Sequence, residues 1–175
     1  MEEELSKELI KIFKQAVKEA EDTVKRYGLN LAQKPSEDFY KEISSFPEDV
    51  TSITDSDLMA LWNKASRLEE YAEFLFTRES LLCKYLEMAK ERAYIDAKMN
   101  ADSSRKWEKE DLAILDEKYT ALDMLLLKHI SIRDLLNQSL KLYRKYTAFC
   151  SRDLTRRMGT IENKNTKDGF HRYVV

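Results

Sequence analysis

Between Asp55 and Met158 apolar residues recur at alternating three- and four-residue steps, and that rhythm leaves few folds open. The first arm carries Leu58, Leu61, Ala65, Leu68, Ala72 and Leu75, then Leu82, Leu86, Ala89 and Ala93, with Glu79 and Asp96 breaking the series. The second carries Leu112, Leu115, Tyr119, Leu122 and Leu126, and later Leu136, Leu140, Tyr143, Cys150 and Leu154. A polar break, Asn100-Ala101-Asp102-Ser103-Ser104, separates the two. A seven-residue repeat sustained this long draws one narrow apolar seam along each helix, the pattern of a coiled coil. Residues 55–100 and 104–158 are therefore predicted to be two long antiparallel helices. At about 1.5 Å per residue, an arm of roughly 45–55 residues would reach on the order of 70–80 Å. A lone hairpin has one seam and little core, so further helices or further copies must cover its remaining apolar side chains.

The rest of the chain supplies one such helix. From Glu2 to Tyr27, Leu5, Leu9, Ile12, Phe13, Ala16, Ala20, Val24 and Tyr27 step along one face. Glu2, Glu3 and Glu4 suit the positive helix N-terminus, Lys25 and Arg26 suit the other end, and Gly28 can supply a left-handed cap. The Leu5/Leu9/Phe13 face is expected to dock on the hairpin or on a neighbouring copy. Residues 29–57 turn irregular and acidic, with Glu37, Asp38, Glu42, Glu48, Asp49, Asp55 and Asp57 against Lys41. Pro35-Ser36 opens a short helix carrying Phe39, Tyr40 and Ile43, and Pro47 ends it. Thr54 or Asp55 is placed to cap the first long arm. The acidic stretch reads either as a solvated linker or as a strap competing for a basic surface. With three Gly, two Pro and a charged fraction of 35%, the composition agrees with an all-α fold. The expected organisation is an N-terminal helical extension with acidic linker (1–48), a coiled-coil-like helical-hairpin core (49–158) and a flexible C-terminal tail (159–175).

Chemistry-bearing residues are sparse. His129 falls near the seam of the second arm as a tolerated polar core position, and His171 sits in a polar tail that reads as disordered. There is no glycine-rich phosphate loop, nucleophile elbow or metal-ligand spacing, so neither an enzyme nor a cofactor is expected. Cys83 and Cys150 lie on predicted helices at no redox or metal spacing and read as reduced, buried thiols. No apolar run approaches the ~18 residues of a membrane span, and Met1-Glu2-Glu3-Glu4 is unlike the basic start of a signal peptide. A soluble, cytoplasmic protein is expected.

Positive charge is more informative than its total, because the net charge is −2. Lys84, Lys90, Arg92 and Lys98 close the first arm, interleaved with Tyr85, Met88 and Tyr94, and Arg105, Lys106, Trp107 and Lys109 follow the break. Lys90 and Arg92 fall at positions flanking the seam, where two readings stand: ordinary ion pairs across the hairpin, or contacts to phosphate. The second arm closes with Lys141, Arg144, Lys145, Arg152, Arg156 and Arg157 against Asp153. Lys141, Arg152 and Arg156 share a helix face, as do Lys145 and Arg156, with Tyr143, Tyr146 and Phe149 between them. Cations that track phosphates beside aromatics that stack on bases are what sequence-tolerant single-strand binders use.

The hairpin also resembles the phage recombination mediator family of the UvsY type, accessory proteins that load a recombinase onto single-stranded DNA. Three stretches carry the resemblance: Ile53-Thr54-Asp55-Ser56-Asp57-Leu58 opening the first arm, Ala89-Lys90-Glu91-Arg92 near its far end, and Trp107-Glu108-Lys109-Glu110-Asp111-Leu112 opening the second. The second arm closes on Arg152-Asp153-Leu154-Thr155-Arg156-Arg157-Met158, where the family ends in a basic amphipathic helix. The match covers about residues 49–158. Residues 1–48 have no obvious counterpart, and the polar break is shorter than the family's. The resemblance implies a ring-like homo-oligomer that binds single-stranded DNA and contacts a recombinase and a single-strand binding protein. Lys90 and Arg92 become the leading DNA contacts, joined by Lys84, Lys98, Arg105, Lys106, Lys145, Arg152 and Arg156. Leu136, Leu140, Tyr143 and Leu154 become the self-association element. The alternative is a non-enzymatic coiled-coil adaptor or virion assembly protein with no nucleic-acid role.

Overall fold

The computed structural model describes residues 2–28, 31–47 and 49–170, with side chains over 7–28, 31–47 and 49–159. Its elements are α1 (Glu2–Arg26), α2 (Glu37–Ser44), a 3-10 turn (Val50–Ser52), α3 (Asp55–Asn100), α4 (Lys106–Ile114) and α5 (Glu117–Phe170). No strand occurs among the described residues. Glu2–Glu4, Leu5, Glu48 and His171, which the sequence reading used, have no described side chain. The chain forms two compact units: residues 1–31 with 74–137, and residues 32–73 with 138–175. Helices α3 and α5 contribute to both.

Local chemistry explains the helix boundaries. Gly28 adopts φ +74° just past α1, and its N–H reaches the Lys25 carbonyl at 2.9 Å. This is a left-handed cap that a side chain would strain. Thr54 caps α3: its Oγ1 accepts the Asp57 N–H at 3.1 Å and donates to the Asp57 carboxylate at 2.7 Å. The second arm is not one helix, as its periodicity predicts, but breaks at Leu115-Asp116. Asp116 accepts the Tyr119 N–H at 2.9 Å and so starts α5 as a new helix. The local capping bond outcompetes helix continuation there. The break also resets the frame. Leu112 and Leu115 are exposed, while Ala113 is fully buried in their place. At its other end the backbone of α5 is helical to Phe170, through most of the stretch read as tail.

In the first unit α3 and α5 run antiparallel: Glu79 pairs with His129 and Lys90 with Asp123, while Lys98 pairs with Glu110 of α4. Their seam is the predicted one. Leu82, Leu86, Ala93, Leu122 and Leu126 are buried together with Cys83 and with Phe13 of α1. Each leucine sealed this way contributes about 1.5–3 kcal/mol. Helix α1 docks through Leu9, Phe13 and Val17, spaced four apart, with the Phe13 and Tyr85 rings 6.1 Å apart. Ile12, Ala16, Ala20 and Tyr27, read as part of the same face, are exposed. The face is narrower than the full apolar set, and Val17 belongs to it.

In the second unit the predicted short helix α2 lays Ile43 onto Ala65 and Leu68 of α3, with Phe39, Tyr40, Phe46, Leu61, Tyr143 and Tyr146 around them. Phe46 stacks on Tyr146, with centroids 4.0 Å apart and planes 7° from parallel. Glu42 of α2 pairs with Lys64 of α3. Arg144 of α5 reaches Glu73 at 3.0 Å and Glu69 at 3.5 Å on α3. These pairs join α2, α3 and α5 around one apolar centre.

Candidate nucleic-acid interface

The two cations that lead the predicted site face in different directions. Lys90 is committed to the hairpin: its Nζ lies 2.6 Å from Asp123 Oδ1 and 5.4 Å from the centre of the Tyr119 ring. The hydrogen bond to Asp123, against the opposing cost of burial, raises its pKa. Lys98 does the same for α4, 2.6 Å from Glu110 and 5.8 Å from the Tyr94 ring centre. That bond raises the Lys98 pKa and lowers that of Glu110. For these two lysines the ion-pair reading holds. Arg92 is exposed at the rim of a cleft lined by Leu9, Tyr85, Met88, Asp96 and Lys118, and Lys84 is exposed on α3.

Around the break, Arg105 is 3.3 Å from Glu108, and its N–H is held by Ser103 Oγ at 3.0 Å. Lys106 is exposed in the first turn of α4. A cation there lies at the unfavourable end of the helix dipole, which an approaching anion would relieve.

The second unit holds a different arrangement on α5. Phe149 is 43% exposed, with Lys145 Nζ 5.7 Å and Arg152 Cζ 5.8 Å from its ring centre. The two cations stand four residues before and three after the ring, so all three side chains project from one helix face. Both cations are exposed. Arg156 extends the face by one turn, although Asp153 lies 2.7 Å from it. Tyr143 and Tyr146, counted with Phe149 as stacking candidates, turn instead into the apolar centre around Ile43 and Ala65. Phe149 is the aromatic left outside.

Next to this face Arg157 does structural work that the sequence reading missed. Its guanidinium contacts Asp153 at 2.7 Å, Asp55 at 2.6 Å, and the carbonyls of Ile53 and Val50 at 2.8 and 2.9 Å. The bond to Asp55 is the largest cause of its raised pKa. Asp153 is the buried acid among the described residues, at 6% exposure, acceptable because two arginines satisfy it. Asp153 is one turn away on α5, but the other partners lie about 100 residues away in sequence, and no local spacing announces them.

The residues assigned to self-association are largely used within the chain. Leu140 is 2% exposed, Tyr143 packs in the core around Ile43, and Leu136 and Leu154 are half-buried. Burial raises the pKa of both Cys83 and Cys150 and holds them as thiols. No helix of the described residues is long and apolar enough to cross a membrane. Comparison with protein-family models, curated proteins and solved structures returns no match.

Proposed function

We propose that the protein is a non-enzymatic accessory factor that binds single-stranded DNA as a homo-oligomer and promotes loading of a recombinase. The observation that carries the DNA-binding part is the exposed Phe149 ring between Lys145 and Arg152. A ring with two flanking cations offers a base a stacking surface and offers the neighbouring phosphates charge, without reading sequence. Lys84, Arg92 and Lys106 are further exposed cations of the predicted set; Lys90 and Lys98, and the exposed Arg105 and Arg156, are paired within the chain. One such site on a chain of net charge −2 binds weakly, and repeated copies in an oligomer supply the affinity by avidity. Recombinase loading and the contact with a single-strand binding protein rest on the resemblance of residues 49–158 to the mediator family.

A labelled oligo(dT) titrated at two salt concentrations tests the reading. Binding that weakens linearly in log salt is expected, and no binding at low salt would overturn it. The rival, a helical adaptor without a nucleic-acid role, is favoured by the closure of Lys90 on Asp123 and Lys98 on Glu110.

A further inference from the structure

The half of α3 that belongs to the first unit has a second apolar line, on the side away from its buried seam. Leu81, Met88 and Ile95 repeat at seven-residue steps and are 53, 56 and 48% exposed. Leu82, Leu86 and Ala93, the seam residues beside them, are buried. Charged side chains would normally occupy such an outer line; large apolar ones in heptad register mark a helix that packs against another. Lys84 and Glu91 flank the line on one side, four residues before and three after Met88. Both are exposed, and neither makes an ion pair among the described residues.

We infer that this face of α3 pairs with the same face of a second copy, antiparallel, about a two-fold axis through Met88. The inference rests on the self-association part of the proposed function and deepens it; it is independent of the nucleic-acid part. Rotating the helix half a turn about that axis sets Leu81 against Ile95 of the second copy and Met88 against its own equivalent. The same rotation sets Lys84 opposite Glu91 on one edge, twice by symmetry, so the face is complementary to itself in shape and charge. A parallel pairing would also bring the apolar line together, but its ionic contacts would have to come from Arg92 and Tyr85. Tyr85 already packs on Phe13 of α1, and Arg92, like Met88 itself, borders the cleft beside Leu9. The antiparallel arrangement uses the two charges that have no ion-pair partner among the described residues. It also gives Lys84 a role other than contact with phosphate.

Sedimentation equilibrium of the full chain without nucleic acid reads this directly, on the unmodified protein and on Met88→Glu, Lys84→Glu, Glu91→Lys and the double Lys84→Glu/Glu91→Lys. The unmodified chain should associate. Met88→Glu should weaken association by roughly a hundredfold, and each single charge reversal by roughly tenfold or more. The double reversal should restore most of the loss, because both symmetry-related pairs regain opposite charges. All three positions are exposed, so circular dichroism should report the same helix content for every variant. A double reversal no tighter than Lys84→Glu alone overturns the antiparallel register. An oligomer indifferent to every one of these changes overturns the α3 interface and leaves self-association elsewhere standing. A chain that stays monomeric at all concentrations overturns both.

Discussion

Lys90 of α3 places its ammonium 2.6 Å from the carboxylate of Asp123 on α5, and so closes the hairpin with a charge that the sequence offered to a polyanion. The pair is about one-quarter to two-fifths exposed, at 27% for the lysine and 42% for the aspartate. It is neither a free surface cation nor a fully desolvated bridge. Replacing Lys90 by Ala should therefore lower stability by about 0.5–1 kcal/mol and leave the affinity for oligo(dT) within experimental error. A thermal melt run beside an anisotropy titration separates the two effects. A stable variant that binds poorly would return Lys90 to the interface.

Arg157 should behave differently from the other basic residues of α5. Its guanidinium holds Asp55, Asp153 and the carbonyls of Val50 and Ile53 together, a geometry that a single ammonium cannot reproduce. Both Arg157→Ala and Arg157→Lys are expected to speed amide exchange across residues 50–57, while exchange in α1 stays unchanged. Equal protection in the lysine variant would show that charge alone suffices.

Leu140 decides between a core and an interface. Because it is 2% exposed in the single chain, Leu140→Ala should cost about 2–5 kcal/mol of folding stability. Denaturant unfolding at two protein concentrations checks this. A small loss of stability accompanied by dissociation would restore its assignment to self-association.

Alkaline pH should destabilise the fold in a defined order. Burial raises the thiol pKa of Cys83 and Cys150 above 9.0, and desolvation raises Tyr40 and Tyr143 above 10.0. The bond to Asp123 raises Lys90 above 10.5. In each case the folded chain holds the proton more tightly than the unfolded one. Stability is therefore fully present below the unfolded values and is lost as pH rises through them and the raised folded values. Urea unfolding between pH 8 and 11 should show stability falling from about pH 9 upward. Cys83→Ala should reduce the slope of the first part of that fall, whatever it does to the absolute value. A flat profile to pH 11 would contradict the burial of these groups.

The helical seam was readable in the sequence because it is a local periodicity: Leu58, Ala65, Leu68, Ala72, Leu82, Leu86 and Ala93 are all buried as the repeat requires. Its interruption at Glu79 was visible too, and so was His129 as a polar core position. That the two meet, both less than one-fifth exposed, follows only once the antiparallel register is known. A polar pair inside an apolar seam fixes register at some cost in stability. The break at Asp116 escaped because one capping side chain outweighs a continuing apolar rhythm over a single turn. The interface was harder for a related reason. Helical spacing places Lys90 and Phe149 on faces, but which face meets another helix depends on the partner's register. Lys90 met Asp123, Tyr143 and Tyr146 met α2, and Phe149 stayed out with its two cations.

The outward face around Phe149 is proposed to contact single-stranded DNA. The most direct measurement compares oligo(dT) anisotropy for the unmodified chain, Phe149→Ala and the double Lys145→Ala/Arg152→Ala at two salt concentrations. Loss of a stacking ring should weaken binding by about 1–3 kcal/mol at either salt without changing the salt slope. Loss of the two cations should flatten the slope by about two counterions for each bound copy. Binding by both variants equal to that of the unmodified chain, with the same slope, would contradict the account.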